Sequence, residues 1–323
     1  MLLALWLSLV AAVIPTLLYV LLFYWADRYE REPWWLAAVA FLWGAIPAIA
    51  VSIFGEVLLG ESLISAPNTL QGALIDGALI APIVEEVAKG AALLAIFWLF
   101  PYEFDGVLDG LIYGALIGFG FAMTENFFYF IGAFDEGGFG NFTVVVLMRA
   151  VMFGLSHAFY TALIGIGFGL SHQATSRRGR LLWPVVGLCA AMLTHGLHNL
   201  GVGIVEVYAV GFLLSLAVAG AGVGLVLLAV LLAWQHERGC IQRELSGEVG
   251  SILSADEFGL LVGRWHRPLH RRKPAARLEA HRLQMLVELA LLKERLRRSE
   301  TMDSALSSQI EAIRKEIDES SQS

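Results

Sequence analysis

Residues 69–100 read TLQGALIDGALIAPIVEEVAKGAALLAIFWLF, an apolar run that carries Glu85, Glu86 and, one turn later, Lys89. Its apolar part, 70–100, is longer than the ~20 residues a straight membrane span needs. A carboxylate at the bilayer centre costs about 2.5–3.5 kcal/mol on the lenient insertion scale. Two adjacent carboxylates need a use that outweighs this cost. Three further apolar segments carry Glu125, His157 and His195. Carboxylates and imidazoles meeting inside an apolar bundle predict metal or acid–base chemistry within the membrane. Pro82, just before the pair, predicts a kink, because it removes a backbone hydrogen bond.

Working outward, the 323 residues are 57% hydrophobic and 16% charged. Soluble domains carry about 25% charged residues, so this composition predicts an integral membrane protein. Mean hydropathy is +0.68. The net charge of −7 and the lack of a basic face predict no nucleic-acid partner. Cys189 and Cys240 stand far apart, which argues against a disulfide and against a cysteine zinc motif. The first apolar run has no basic leading region and no small-x-small site at its end, so it reads as a retained span.

Seven apolar runs fit spans, at about 2–25, 35–57, 70–100, 108–132, 142–171, 183–203 and 207–235. The fold class expected is therefore all-α: a polytopic bundle in the lipid bilayer, with a helical C-terminal region. Basic residues set the orientation. Arg28 and Arg31 follow the first run, Arg177, Arg178 and Arg180 follow the fifth, and the region after the seventh is rich in Arg and Lys. With seven spans this puts the N-terminus outside and the C-terminus in the cytoplasm of a cell-membrane protein. The chain divides at this level into a membrane-embedded domain, 1–235, and a cytoplasmic helical tail, 236–323.

In the tail, WHRPLHRRKP (265–274) is a basic stretch suited to anionic lipid heads or to fixing topology. Residues 276–298 and 304–317 read as helices. Leu283, Leu286, Leu289 and Leu292 give the first an apolar stripe, which predicts a helical hairpin or short coiled coil able to take a partner.

Four stretches carry chemistry. In PIVEEVAK, Lys89 lies at i+4 from Glu85 and i+3 from Glu86, so it can neutralise one carboxylate and leave the other for water or metal. An internal ion-pair cluster that only positions helices is the plainer reading. In residues 109–130, DGLIYGALIGFGFAMTENFFYF, Gly110, Gly114, Gly118 and Gly120 form a face for close helix approach, and Glu125 and Asn126 follow it. In residues 149–167, RAVMFGLSHAFYTALIGIG, Thr161 shares the face of His157 and could orient it. Arg149 either snorkels or pairs with an internal carboxylate. In residues 193–201, LTHGLHNLG, His195 pairs on one face with Asn199, and His198 is the alternative partner. Two imidazoles with a carboxylate match the ligand set of a catalytic zinc site, a second carboxylate serving as base. There is no G-x-S-x-G, no paired aspartates of the GxGD type and no phosphate-binding loop.

The ordered set resembles the PrsW family of intramembrane proteases, which share a clan with the type II CAAX prenyl endopeptidases. The matching stretches are Glu85-Glu86-x-x-Lys89, then Phe121-x-x-x-Glu125-Asn126 preceded by Asp109-Gly110 and Tyr113-Gly114, then His157-Ala158-x-x-Thr161, then His195-x-x-x-Asn199. The resemblance covers about 70–201 and stops short of the tail. It implies a multi-pass peptidase of metalloprotease type acting on a membrane-anchored protein, an anti-sigma factor being the best-known bacterial case. It implies that Glu85 and Glu86 activate water or bind metal while His157 and His195 complete the site. A glutamate-activated water held by His and Asn is the metal-free form of the same picture. The residues expected at the chemistry are Glu85, Glu86, Lys89, Glu125 and Asn126. The expected zinc ligands are His157, His195, Asn199 and Glu86. Two other classes stay open on sequence: a proton-coupled transporter or ion-binding protein, since buried Glu and His also make proton relays, and a scaffold whose polar core fixes packing.

Overall fold

The computed structural model describes residues 2–26, 32–64, 66, 68–101, 103–104, 106–205, 207–263, 274–298 and 304–320. Arg28, Arg31 and residues 265–273 of the basic stretch lie outside the described residues. Among the described residues there is no strand. The helices are α1 (Leu2–Ala26), α2 (Trp34–Trp43), α3 (Ile49–Leu63), α4 (Leu70–Ile75), α5 (Ala81–Leu99), α6 (Val107–Val146), α7 (Ser156–Gln173), α8 (Arg177–Ile204), α9 (Val210–Leu245), α10 (Ala255–Val262), α11 (Pro274–Arg298) and α12 (Ser304–Ser320). They fall into two compact units, one of Glu32–Ala229 with α1 and one built on Val230–Ser323.

Five helical runs among the described residues are long and apolar enough to cross a membrane: Leu2–Trp25, Trp34–Leu63, Val107–Gln173, Arg177–Ile204 and Val210–Glu248. Seven were expected, and two differences separate the counts. The run holding Glu85, Glu86 and Lys89 carries three charges in one stretch. The fourth and fifth expected spans are one continuous run, Val107–Gln173. Helical geometry breaks inside it at Gly138, whose φ of 64° suits glycine. The chain doubles back there, and α7 returns along α6. The glycine face of α6 makes this approach possible. A Cβ added at Gly118 would stand 2.3 Å from the His157 carbonyl oxygen, so the two backbones touch where the site is built.

The outer helices show how an apolar chain sorts its faces when lipid is the solvent. In α1 the buried positions are Ala4, Ser8, Ala12, Thr16 and Phe23, a narrow stripe dominated by small residues, while Leu2, Leu3, Trp6, Leu18 and Leu21 point outward. Small residues bring α1 against α6, where Phe119 stacks on Tyr19 and meets Phe23 edge-on. Hydrophobicity does not choose between these faces in a bilayer; packing does.

Among the described residues, three widened helical turns interrupt the bundle: Gly44–Ala48 between α2 and α3, Asp76–Ile80 between α4 and α5, and Leu147–Met152 after α6. Such turns release a carbonyl from the regular ladder, and within a membrane that oxygen needs a partner. Each turn has one. Thr124 Oγ1 donates to Ala45 O at 2.8 Å, Asn199 Nδ2 to Gly77 O at 2.8 Å, and the Tyr19 hydroxyl to Ala150 O at 3.0 Å. The first turn contains Pro47 and the second precedes Pro82, so the kink expected at Pro82 is realised one turn earlier as a wide turn.

In the second unit, α10, α11 and α12 pack with the end of α9. Leu283, Leu286, Leu289 and Leu292, the stripe expected from sequence, are buried there, and Ile241, Leu245, Leu261 and Ile317 complete the core. Arg282 ties the unit together. Its Nε donates to Glu257 Oε1 at 2.7 Å, and its two Nη atoms donate to the carbonyls of Ile317 and Ile252, each at 2.6 Å. Neither Cys189 nor Cys240 is bound in a disulfide.

Candidate active site

Glu85, Glu86 and Lys89 lie on the buried face of α5. The helix is pinned to its neighbour by Trp43, whose indole N–H donates to Ala88 O at 3.1 Å. Three charges this deep require partners, because an unpaired buried ion is far costlier than a paired one. The Lys89 ammonium, fully buried, donates to Glu86 Oε1 at 2.6 Å and to Glu85 Oε2 at 3.1 Å. It also sits 4.0 Å from the centre of the Phe121 ring, a cation–π contact in a dry setting.

The two carboxylates differ in their commitments. Glu86 Oε1 also lies 2.9 Å from His195 Nδ1, and Glu86 Oε2 accepts from Thr161 Oγ1 at 3.2 Å. Both its oxygens are therefore engaged. For Glu85 the close partner is Lys89. Its Oε2 faces two imidazoles across wider gaps, 3.9 Å to His157 Nδ1 and 4.0 Å to His195 Nε2.

Each imidazole is itself held by a carboxylate on its other nitrogen. His157 Nε2 lies 2.8 Å from Glu125 Oε2, and His195 Nδ1 lies 2.9 Å from Glu86 Oε1. Assigned from these bonds, the protons sit on His157 Nε2 and His195 Nδ1, which turns the lone pairs of His157 Nδ1 and His195 Nε2 toward Glu85. Lys89 approaches His157 Nδ1 at 3.4 Å. Glu125 is balanced in turn by Arg149, at 2.6 Å. The rings of His157 and His195 cross edge-on with centroids 5.0 Å apart.

Glu85, Glu86, His157 and His195 can each offer one ligand atom such that all four lie within 4.8 Å of one another. A metal ligand histidine characteristically gives its second N–H to a carboxylate, as both do here. Zinc bonds of about 2.0–2.2 Å require the donors to close by roughly 1 Å, within reach of side-chain rotation. The donor set fits zinc.

The remaining expected residues have other partners. Asn126 accepts from Arg149 Nε at 2.9 Å. Asn199 gives its amide to the Gly77 carbonyl of the second wide turn. Thr161, expected to orient His157, donates to Glu86 instead, because the crossing of α7 with α5 brings that oxygen closer. Arg149 takes the role of carboxylate partner rather than snorkelling. Tyr160 escaped sequence reasoning altogether. Its ring stacks on His195 with centroids 4.6 Å apart and planes 15° from parallel. Three residues beyond a candidate histidine, it looked like one more apolar aromatic.

The comparisons with known proteins agree with one another. Residues 32–235 match the family model described as PrsW family intramembrane metalloprotease. The curated protease PrsW of Geobacillus kaustophilus is 27% identical over 190 residues, 58% of this chain and 76% of that protein. Protease PrsW of Bacillus subtilis is 26% identical over 190 residues, 58% of this chain and 79% of that protein. Protease PrsW of Halalkalibacterium halodurans is 27% identical over 194 residues, 59% and 81% of the two chains. No solved structure matches. The matched region takes in α2 to α8 and every residue of the buried cluster, and the chain belongs to the PrsW family of intramembrane proteases, as a multi-pass membrane protein.

Proposed function

We propose that this protein hydrolyses a peptide bond of a membrane-anchored protein, an anti-sigma factor being one such substrate, with Glu85 as the carboxylate that accepts the proton of the attacking water. The observation that carries this reading is the convergence of Glu85 Oε2 with the lone-pair nitrogens of His157 and His195, at 3.9 and 4.0 Å. A water at that point has an acceptor for its proton and two imidazoles to fix its direction of attack.

Around it the labour divides. Glu86 orients His195, Glu125 orients His157, and Lys89 cancels the charge of Glu86 while leaving Glu85 weakly held. The proton taken by Glu85 passes to the leaving amine. His157 and His195 would hold a zinc ion through the nitrogens that face Glu85, with Glu86 and Glu125 as the carboxylates behind the rings. When bound, zinc supplies a Lewis acid that brings water into the neutral titration range. Asn199 and Asn126, bonded to Gly77 and Arg149, hold the surrounding backbone and the Arg149–Glu125 pair in register.

The reading includes a membrane-embedded peptidase domain over 1–235 and a cytoplasmic helical tail over 236–323 that takes a partner. It has the N-terminus outside, following the Arg-rich segments after the first and fifth apolar runs. The test is N-terminal proteomics in the native host, wild type against Glu85→Gln at equal abundance. A new N-terminus of a membrane protein present in wild type and missing from the variant is the expected result. Coincident profiles under several envelope stresses would overturn the proposal.

A further inference from the structure

The buried cluster is sealed on one side and open on the other. Side-chain exposure is 0% at Lys89 and Glu86, on α5, and 2% at His195, on α8. It rises to 7% at Glu85, 13% at His157, 20% at Glu125 and 26% at Arg149. Next to Arg149, the half-exposed ring of Tyr129 lies over its guanidinium at 3.7 Å. Exposure thus increases outward from Glu85 along α6 and the third wide turn.

A second observation points the same way from α3. Glu56 follows the buried Ile49 and Ser52 on the inner face of this helix and is itself partly buried. Gly55 packs on Val84, where an added Cβ would stand 2.6 Å from Cγ1, so the residues preceding Glu56 and Glu85 touch. Glu56 makes no hydrogen bond or ion pair among the described residues. Asp76 and Glu125 repel its charge, while Lys89, already bonded to Glu85 and Glu86, attracts it. Tyr129 lies in the field of both Glu56 and Glu125, so the lone carboxylate borders the same opening.

Glu56, Glu125 and Arg149 all lie within helical runs long and apolar enough to cross a membrane. Charged groups at that depth face one another or a water-filled cavity, because hydrocarbon does not solvate them. Glu56 has no partner, and the Glu125–Arg149 pair is partly exposed, so what these groups meet is water. We infer that water and substrate reach Glu85 through a water-filled mouth between α3 and α6, bordered by Glu56, Tyr129 and Arg149, while the side formed by α5 and α8 stays closed. The segment such a mouth takes is an unwound stretch of substrate, whose freed N–H and C=O groups have no partner in lipid. Entry of water stands on the exposure of these charges alone. Entry of substrate by the same mouth rests on the peptidase reading above.

The test is cysteine labelling of the full-length protein in opened membrane fragments, on a background of Cys189→Ala and Cys240→Ala. The probe is a charged methanethiosulfonate, which stays out of lipid and reacts with the thiolate. Glu56→Cys and Tyr129→Cys are compared with Phe54→Cys and Leu193→Cys, at apolar positions of the outer surface that are 71% and 63% exposed. Apolar surroundings raise a thiol's pKa, and each unit cuts the thiolate tenfold, so both test positions should label about tenfold faster than both controls, or more. Labelling no faster than the controls at either test position would overturn the mouth. Labelling Glu56→Cys or Tyr129→Cys should also abolish, relative to the same variant unlabelled, the product that disappears in Glu85→Gln. Unchanged product from both labelled variants would overturn substrate entry by this route and leave the peptidase reading standing. If no product disappears in Glu85→Gln, the peptidase reading fails, and the labelling rates still decide whether water enters here.

Discussion

Replacing Lys89 by methionine keeps most of the side-chain volume and deletes one charge. In the folded protein that charge is fully buried, 2.6 Å from Glu86 and 3.1 Å from Glu85. Its loss leaves two carboxylates facing each other's field in a dry bundle. Removing one member of a buried pair costs about 3–5 kcal/mol. For a domain of 150–250 residues each kcal/mol lowers the unfolding temperature by about 2–4 °C, so Lys89→Met should unfold roughly 6–20 °C below wild type. Glu86→Gln should fall less far, since the glutamine oxygen still accepts from His195. The double variant removes the charge and its closest counter-charge together, and neighbours of this kind couple by up to about 3 kcal/mol. It should therefore unfold above Lys89→Met alone, although Glu85 stays uncompensated. The assay is tryptophan fluorescence on heating the full chain in detergent, for the four corners of the cycle. A Lys89→Met variant within 2 °C of wild type, or a double variant whose loss is the sum of the singles, would refute the reasoning, because a buried charge pair cannot be additive.

Three further outcomes follow from particular contacts. Gly118→Leu should abolish processing, because a Cβ there meets the His157 carbonyl at 2.3 Å and must push α7 away, whereas Gly132→Leu, with open space around it, should process normally. Zinc bound by the purified protein, measured by elemental analysis after dialysis, should be lost in the His157→Ala/His195→Ala double variant. In Glu125→Gln it should be weakened by about 10–100-fold, the usual effect of losing a carboxylate behind a ligand histidine. In the second unit burial raises the Glu257 carboxyl, but the backbone N–H and hydroxyl of Ser254 and the Arg282 guanidinium outweigh it and hold the carboxyl below its usual range. A group lowered on folding stabilises the folded form above its unfolded value, near pH 4.3, and loses that contribution as pH falls through the lowered folded value. Pepsin should thus begin to cut α10 as acid is added below that point, and Glu257→Gln should cut already at higher pH.

The residues of the cluster were legible because burying charge in an apolar run is costly, and the sequence does it four times in order. Their mutual assignments were not. Glu125 reaches His157 only because glycines let α6 and α7 touch, and Thr161 reaches Glu86 rather than His157 because of how α7 crosses α5. Neither crossing angle is written in helix periodicity. The expected ligand Glu86 and the less committed Glu85 are adjacent and chemically identical in sequence. The distances to Lys89, His195 and Thr161 separate them. Hydropathy divided Val107–Gln173 between two expected spans, and the chain doubles back within that 67-residue helical run at Gly138, whose positive φ no hydropathy scale reads.

The three wide turns explain how such a cluster is placed with little loop structure. Each sits next to a residue of the polar core. Thr124, which caps the first turn at Ala45, precedes Glu125. Asn199, which caps the second at Gly77, is one turn from His195, and that second turn leads into α5 with Glu85 and Glu86. The third turn contains Arg149, the partner of Glu125. A regular helix spends every carbonyl on itself and offers neighbours only side chains. A widened turn frees a carbonyl that, surrounded by lipid and protein, must take a hydrogen bond from another helix. That bond fixes rotation and height at once, which apolar packing between smooth helices does poorly. Threonine, asparagine and tyrosine at these positions thereby index α6, α8 and α1 against the turns. Asn199 is thus explained without direct contact with the reacting groups: it sets the rotation of α8, and the rotation of α8 decides which nitrogen of His195 faces Glu85.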